Sequence, residues 1–161
     1  MAIHWQIPFR SLRGPHGGTD YIVNIYDSRF SGTPIVLNGG SQPFTTQEDD
    51  SDDQFTPIRT QSGYIRIIDD GYAADGVTAF NWKDLIPQTN TSRPVTLTAG
   101  GTVVWQGFMQ SQNFSGELYG NPQEREFPVH CVLSALNGVD IPTTVPQNLQ
   151  MILNFGSLLG Y

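Results

Sequence analysis

The residues best placed to do chemistry are five carboxylates within six consecutive positions, Glu48, Asp49, Asp50, Asp52 and Asp53. Carboxylates bind Ca²⁺, but the EF-hand calcium loop needs ligands at positions 1, 3, 5 and 12 and glycine at position 6. Counted from Asp49, position 6 is Gln54 and position 12 is Thr60, which excludes that loop. A solvated loop, a surface that pairs with a basic partner and an irregular metal site stay open. A charge block is most often solvated, so we predict neither a metal nor a cofactor.

The histidines and the single cysteine form no catalytic or metal-binding pattern. His4, His16 and His130 include no pair at the i, i+4 spacing of helical metal ligands. His16 lies in a Gly-Pro-His-Gly-Gly turn, where a solvent-exposed side chain is expected. His130 alternates out of phase with Val129 and Cys131, so it is expected to face away from the core. We predict Cys131 to be a buried, unreactive thiol that packs as a small apolar side chain.

Known catalytic motifs are missing from the sequence as well. It contains no Gly-x-Ser-x-Gly nucleophile elbow, no phosphate-binding loop and no dinucleotide-binding fingerprint. A glycosidase needs only two carboxylates at the right separation, and spacing along the chain does not locate such a pair. The sequence therefore predicts that the protein is not an enzyme.

Length and charge limit the partners. The chain has 161 residues, which favours one domain, and its 15 acidic against 8 basic residues give a net charge of −7. Such a surface repels phosphate backbones and anionic lipids, so we predict neither nucleic-acid nor membrane binding. The first residues lack the basic start and apolar run of a secretory signal, and a lone cysteine gives no support for an oxidising compartment. A protein made in the cytoplasm is expected.

The elements that must position any site are mostly strands. Alternation with a period of two predicts strands over residues 21–26, 34–37, 44–47, 63–68, 95–98, 102–109 and 125–136. The second of these is expected to stop at the Asn-Gly-Gly of residues 38–40, and residues 80–86 are expected to form one helical turn before Pro87. Strands at this spacing predict an all-β domain over residues 1–141, an antiparallel β-barrel or sandwich.

The last twenty residues have a different pattern. After Pro146, apolar residues recur at helical spacing, among them Leu149, Ile152 and Leu153. We predict a linker and an apolar helix over residues 142–161, the start of a further region. An apolar stripe needs a cover, so this helix is a candidate interface.

Three segments carry a resemblance to a known family. They are residues 52–59, which lead into a strand, the Val-Trp-Gln-Gly-Phe of residues 104–108, and the closing strand and turn over residues 124–136. Their order along residues 21–141 resembles that of the tail-tip or baseplate-hub proteins of long-tailed phages and prophages, especially prophages of gut Bacteroidetes.

The resemblance implies a structural virion protein that is made in a bacterial cytoplasm and assembled into a phage-like tail. Such hub domains are β-barrels that form trimers below the tail tube, where two related barrels per chain complete a ring. This chain has strands for one barrel only, which is a departure from that pattern. The interface residues expected are Glu48, Asp49, Asp50, Asp52, Asp53, Phe55, Arg59, Leu149, Ile152 and Leu153.

A carbohydrate-binding β-sandwich is the alternative. Aromatic rings beside amides and carboxylates form sugar sites, and the candidates are Trp5, Trp82, Tyr72, Tyr119, Asn113 and Asn121. These aromatics are scattered among different elements, which favours the hub. Neighbouring tail-tube and tape-measure genes would support the hub, whereas polysaccharide-utilisation genes would support the sugar-binding module.

Reversing the charge of Asp49, Asp50, Asp52 and Asp53 tests the acidic run. Closely packed carboxylates repel one another, and a positive partner surface relieves that repulsion. The variant is expected to keep its fold, checked by circular dichroism, and to block tail assembly, checked by counting complete particles. Normal yields of infectious particles would show that the run is only solvated surface.

Overall fold

A computed structural model of the chain describes residues 2–11, 18–48, 60–90, 92–111 and 122–132. The predicted boundary at residue 141 and the predicted helix over residues 142–161 lie outside them. The strands are β1 Ala2–Ser11, β2 Thr19–Asp27, β3 Ile35–Val36, β4 Gly39–Glu48, β5 Gln61–Asp69, β6 Pro94–Ala99, β7 Thr102–Met109 and β8 Gln123–Cys131. A 3₁₀ helix, Trp82–Leu85, lies between β5 and β6. No helix among the described residues is long and apolar enough to cross a membrane.

All eight strands belong to one sheet, in the order β3-β1-β2-β6-β7-β8-β5-β4. The predicted all-β class is therefore confirmed. The sheet is mostly antiparallel, and the exception is β3, which pairs with β1 in parallel through Trp5↔Ile35 and Gln6↔Val36. The remaining pairs are antiparallel.

The sheet closes on itself where the chain passes from β3 to β4. These two strands end the strand order, yet only Leu37 and Asn38 separate them along the chain. The Leu37 N–H donates to the Gln6 carbonyl oxygen on β1, at 2.8 Å. The Asn38 carbonyl oxygen accepts from the Ile68 N–H on β5, at 2.9 Å. One stretch of backbone thus joins both edges, and the sheet is a barrel.

Alternate residues of the strands fill the barrel interior. Ile65 and Ile67 are fully buried, whereas Tyr64 and Ile68 are exposed, as the period of two predicts. The interior residues are Trp5, Ile7, Val23, Ile25, Leu37, Ile65, Ile67, Val95, Leu97, Met109, Phe127 and Val129.

The segment between β5 and β6 caps one end of the barrel. Strands β2 and β5 run toward this end and finish there in Asp27 and Asp69. The predicted helical turn is confirmed as the 3₁₀ helix, whose Leu85 is fully buried in the core together with Phe80. The Asn81 side chain accepts from the Lys83 N–H at 3.1 Å and caps this helix.

Two strands differ from the sequence expectations. Strand β1 had not been predicted, because a bulge at His4 and Pro8 interrupt its alternation. Strand β4 begins at Gly39, so the Asn-Gly-Gly segment does not end the sheet as expected. It bends the chain into the next strand, with a register shift between Gly39 and Phe44.

Two adjacent residues near the end of β8 are both buried. Cys131 is buried as predicted, and its Sγ accepts from the Gln61 N–H at 3.2 Å. His130 lies on the sheet face opposite Val129, as the alternation requires, but that face is covered here and only 7% of the residue is exposed. Its ring lies 6.0 Å from that of Phe108. Burial lowers the pKa of His130, so the neutral imidazole is the form that the fold favours.

The Trp-x-Gly spacing in β7 has a packing reason. A Cβ atom at Gly107 would lie 2.4 Å from Cη2 of Trp105 and 2.1 Å from the carbonyl oxygen of His130. The indole therefore occupies space that a side chain at position 107 would need. Trp105 also meets Phe44 edge to face, with ring centroids 5.1 Å apart, and packs against the core. Glycine is required here by the close approach of β8 and the indole.

Replacing Gly107 by alanine is expected to destabilise the barrel by about 2 kcal/mol or more, because both the indole and the β8 backbone must shift. Gln106→Ala is the matched control, since Gln106 is exposed on the same strand, and it should cost less than about 0.5 kcal/mol. Urea denaturation of both variants measures the difference. Equal stabilities would show that β7 and β8 adapt freely at this point.

Candidate functional site

A pocket of about 430 Å³ lies between the cap and the adjoining ends of the strands. Its volume is within the usual range for small-molecule sites. The charged and titratable side chains that line it are His4, Asp27, Arg29, Lys83, Asp84 and Arg93. They come from β1, from β2 and the turn after it, from the 3₁₀ helix and from the residue before β6.

His4 enters the pocket wall because it is the extra residue of the β1 bulge. Its ring stacks between Trp5 and Phe30, with centroids 3.5 and 3.8 Å away. Its Nδ1 lies 3.6 Å from Oδ2 of Asp27. Burial lowers the pKa of His4 and outweighs the opposing effect of the Asp27 carboxylate. The imidazole is therefore neutral at neutral pH.

Asp27 and Arg93 form an ion pair between the end of β2 and the start of β6. The Arg93 guanidinium lies 4.8 Å from the centroid of the Trp5 ring, and its Nη2 donates to the Asp84 carbonyl oxygen at 2.9 Å. The Asp27 Oδ1 accepts from the Arg29 N–H at 2.9 Å. Burial alone would raise the pKa of Asp27, but these hydrogen bonds and the Arg93 charge lower it overall. Asp27 is thus a carboxylate that ties two strands to the cap.

A second aspartate–arginine pair holds the other side of the cap. Arg125 Nε lies 2.5 Å from Oδ2 of Asp69, and Asp69 is almost fully buried. The Arg125 guanidinium lies 4.3 Å from the centroid of Trp82, a residue of the 3₁₀ helix. Each pair therefore combines an aspartate at a strand end with an arginine stacked on an indole. Together they fix the cap that forms the pocket roof.

The described side chains of the pocket form no assembled catalytic pair. The hydroxyl of Ser92, which lines the pocket, already donates to the Thr89 carbonyl oxygen at 2.9 Å. The distance from His4 to Asp27 exceeds a hydrogen bond, so the pair is not in position to relay a proton. Within the described ranges, no three His, Cys, Asp or Glu side chains lie close enough together to hold a metal ion. The pocket therefore combines charged side chains with the aromatic rings of Trp5 and Phe80.

The structure separates this pocket from Glu48, the predicted interface residue that lies within the described ranges. Glu48 is exposed at the end of β4, and β4 runs away from the cap, so Glu48 lies at the opposite barrel end. The other candidates lie outside the described residues: Asp49, Asp50, Asp52, Asp53, Phe55, Arg59, Leu149, Ile152 and Leu153.

The three candidate sugar-binding residues that the structure describes, Trp5, Tyr72 and Trp82, do not form one exposed surface. Trp5 is only 2% exposed and faces the barrel interior, which corrects its assignment to a sugar site. Trp82 is half-buried and carries the Arg125 guanidinium on its ring. Tyr72 is exposed, and Tyr119, Asn113 and Asn121 lie outside the described residues.

The sequence does not identify the pocket, because the residues that line it lie far apart along the chain. His4, Asp27 and Arg93 share no local motif, and the bulge that places His4 arises from strand pairing. The one usable signal is a charged residue directly at a strand end, which is too common to identify a site.

No protein-family model, curated protein or solved structure matches the chain. Its function therefore has to be inferred from its own geometry.

Replacing Asp27 by asparagine is expected to destabilise the protein by about 2 kcal/mol at neutral pH, because Arg93 loses its charged partner. The pKa of Asp27 is lower in the folded than in the unfolded state, so its contribution is complete above the ordinary carboxyl pKa. That contribution disappears as the pH falls through the folded-state value. The stability difference between wild type and variant should therefore shrink below about pH 4. Urea denaturation across a pH series measures it.

Asp20→Asn is the control for this experiment. Asp20 pairs with Arg10 at the far end of the barrel, and both side chains are largely exposed. Its loss should cost less than about 1 kcal/mol. Equal effects of the two substitutions would contradict a structural role for the Asp27–Arg93 pair.

Proposed function

We propose that this chain is a structural domain that works through protein–protein assembly, and that it serves as a hub domain in a phage-like tail tip. The assembly role is supported by the outer surface of the barrel. The tail-tip role is supported by the resemblance of three ordered segments to hub proteins.

An apolar strip on the outside of the barrel carries the proposal. It consists of Ile22 on β2 and Val103 and Val104 on β7, which are 37%, 45% and 54% exposed. Thr98 on β6 pairs with both Ile22 and Val103, so these three side chains form a row across three strands with Thr98 in the middle. Val104 follows Val103 at the register shift between β6 and β7. Exposed apolar side chains grouped on a sheet surface are typical of a contact surface for another protein.

The strip lies beside a rigid polar row. Gln6 Nε2 donates to Asn24 Oδ1 at 2.9 Å, and Asn24 Nδ2 donates to Thr96 Oγ1 at 3.4 Å. The hydroxyl of Tyr26 is 3.3 Å from the same Thr96 oxygen. Asn24 and Thr96 are both buried on this face. A network that satisfies its own polar groups keeps the neighbouring surface in one conformation, which lowers the entropy cost of binding a partner.

A second outward surface supports the same role. Tyr64 and Ile68 of β5 are exposed, and between them Arg66 forms an ion pair with Glu126 of β8, with Nε and Oε1 2.5 Å apart. Apolar side chains with charged neighbours are the composition of many protein interfaces. A barrel with two such surfaces suits a subunit that contacts more than one neighbour, as a trimeric hub does.

The carbohydrate-binding alternative has less support. Of its candidates, Trp5 lies inside the barrel, and the ring of Trp82 is covered by the Arg125 guanidinium.

Replacing Ile22 and Val104 by lysine is expected to weaken assembly without unfolding the barrel, because both side chains point into solvent. Val77→Lys is the matched control, since Val77 is 81% exposed and belongs to the loop between β5 and β6. Sedimentation of the purified chain across a concentration series measures self-association. Incorporation into tail particles measures the hub role.

Two results would contradict the proposal. If wild type and double variant enter particles equally well, the apolar strip is not an interface. If the chain remains monomeric and neighbouring tail proteins do not bind it, assembly is not its function.

A further inference from the structure

Most of the described lysine and arginine side chains form an ion pair with a carboxylate. Among the described residues, four of the six lysine and arginine side chains pair with a carboxylate: Arg10 with Asp20, Arg66 with Glu126, Arg93 with Asp27 and Arg125 with Asp69. Acidic residues outnumber basic ones by 15 to 8, so a carboxylate partner is the ordinary expectation for a surface cation here.

The two cations without such a partner in the described part of the chain, Arg29 and Lys83, line the same pocket. Arg29 Nη2 donates to the neutral Gln88 Oε1 at 2.7 Å. The Lys83 Nζ lies 5.9 Å from the centroid of the Trp82 ring. Neither positive charge is neutralised by an ion pair with a described carboxylate. Lys83 belongs to the 3₁₀ helix, and the Arg29 N–H donates to Asp27 Oδ1.

We propose that this pocket binds a small organic anion through a single carboxylate group, held by Arg29 and Lys83 at the pocket mouth. An arginine fork and a lysine ammonium are the side chains that proteins use for carboxylate ligands. Phe80 and Trp5 supply apolar wall for the body of the ligand.

The lining charges favour one negative charge over two. Arg93 neutralises Asp27, which leaves Arg29 and Lys83 opposite Asp84. With His4 neutral, the described lining residues carry one net positive charge. A monocarboxylate neutralises that charge, whereas a phosphate dianion leaves the occupied pocket with a net negative charge. The carboxylate can belong to a free small acid or to the end of a peptide, and the chemistry of recognition is the same.

Titration with benzoate, followed by the backbone amide resonances of the full chain, tests the site. Benzoate is expected to give saturable shifts in residues around the pocket, and neutral benzamide is not. The double variant Arg29→Gln, Lys83→Gln should weaken benzoate binding about tenfold or more, because both charged hydrogen bonds are lost. Both side chains are exposed, so the fold should survive, which circular dichroism checks.

Two further variants separate a built site from general charge attraction. Arg10→Gln, Arg66→Gln removes the same total charge away from the pocket and should leave binding unchanged. Asp84→Asn should strengthen binding, because it removes the opposing carboxylate. A peptide with a free C-terminus, compared with its amidated form, distinguishes a protein source from a free acid, and binding of either carboxylate supports the site.

Three outcomes would overturn the proposal. They are no saturable shifts with any carboxylate, equal weakening by the two double variants, and tighter binding of inorganic phosphate than of benzoate.

Discussion

The architecture depends on one short crossing of the backbone. At Leu37 and Asn38 the chain leaves the edge beside β1 and joins the edge beside β5, with one hydrogen bond to each. Leu37 also points its side chain into the core, so the crossing is anchored by burial as well as by hydrogen bonds. Without it the same strands would form an open sheet whose two edges expose unpaired peptide groups. With it, the interior is enclosed and the outer face becomes the surface available to partners.

Closure of the barrel also brings together the side chains that hold the cap in place. Because β2 and β5 end at the same barrel opening, Asp27 and Asp69 lie on two sides of one short helix. Each meets an arginine that stacks on a tryptophan. Replacing a whole ion pair of this kind by apolar side chains can be nearly neutral, since desolvation offsets much of the attraction, although removing one partner alone is costly. Their value is geometric. They hold the 3₁₀ helix over the opening and engage Arg93 and Arg125, whereas Arg29 and Lys83 form no ion pair with a described carboxylate.

Much of the fold follows from local pattern. The local sequence predicts the strand that alternates around Ile65 and Ile67. It also predicts the hairpin turn at Gly100–Gly101. Both glycines have positive φ, as a tight hairpin turn requires. Strand β1 was missed because its bulge at His4 and its proline disrupt the period of two. The parallel pairing of β3 with β1 depends on where the barrel closes, which no local stretch encodes.

The candidate site was much less predictable than the fold. Its residues come together only through strand register, the bulge and the cap. The acidic run, by contrast, stood out in the sequence, but Glu48 places its start at the other end of the barrel. The start of the acidic run, the most unusual segment of the sequence, therefore lies at the barrel end opposite the pocket that folding assembles.

The strand order has a consequence for synthesis on the ribosome. Of the described strands, β8 is the last to emerge, and it is the strand that joins β7 to β5. A nascent chain that has not yet extended beyond Met109 carries every other strand, but β5 and β7 both present open edges. The ring can close only when residues about 60 positions apart pair across the last gap, as Arg66 does with Glu126. Until then, the open edges of β5 and β7 can pair with other incomplete chains. The emergence of β8 from the ribosome allows both edges to be covered.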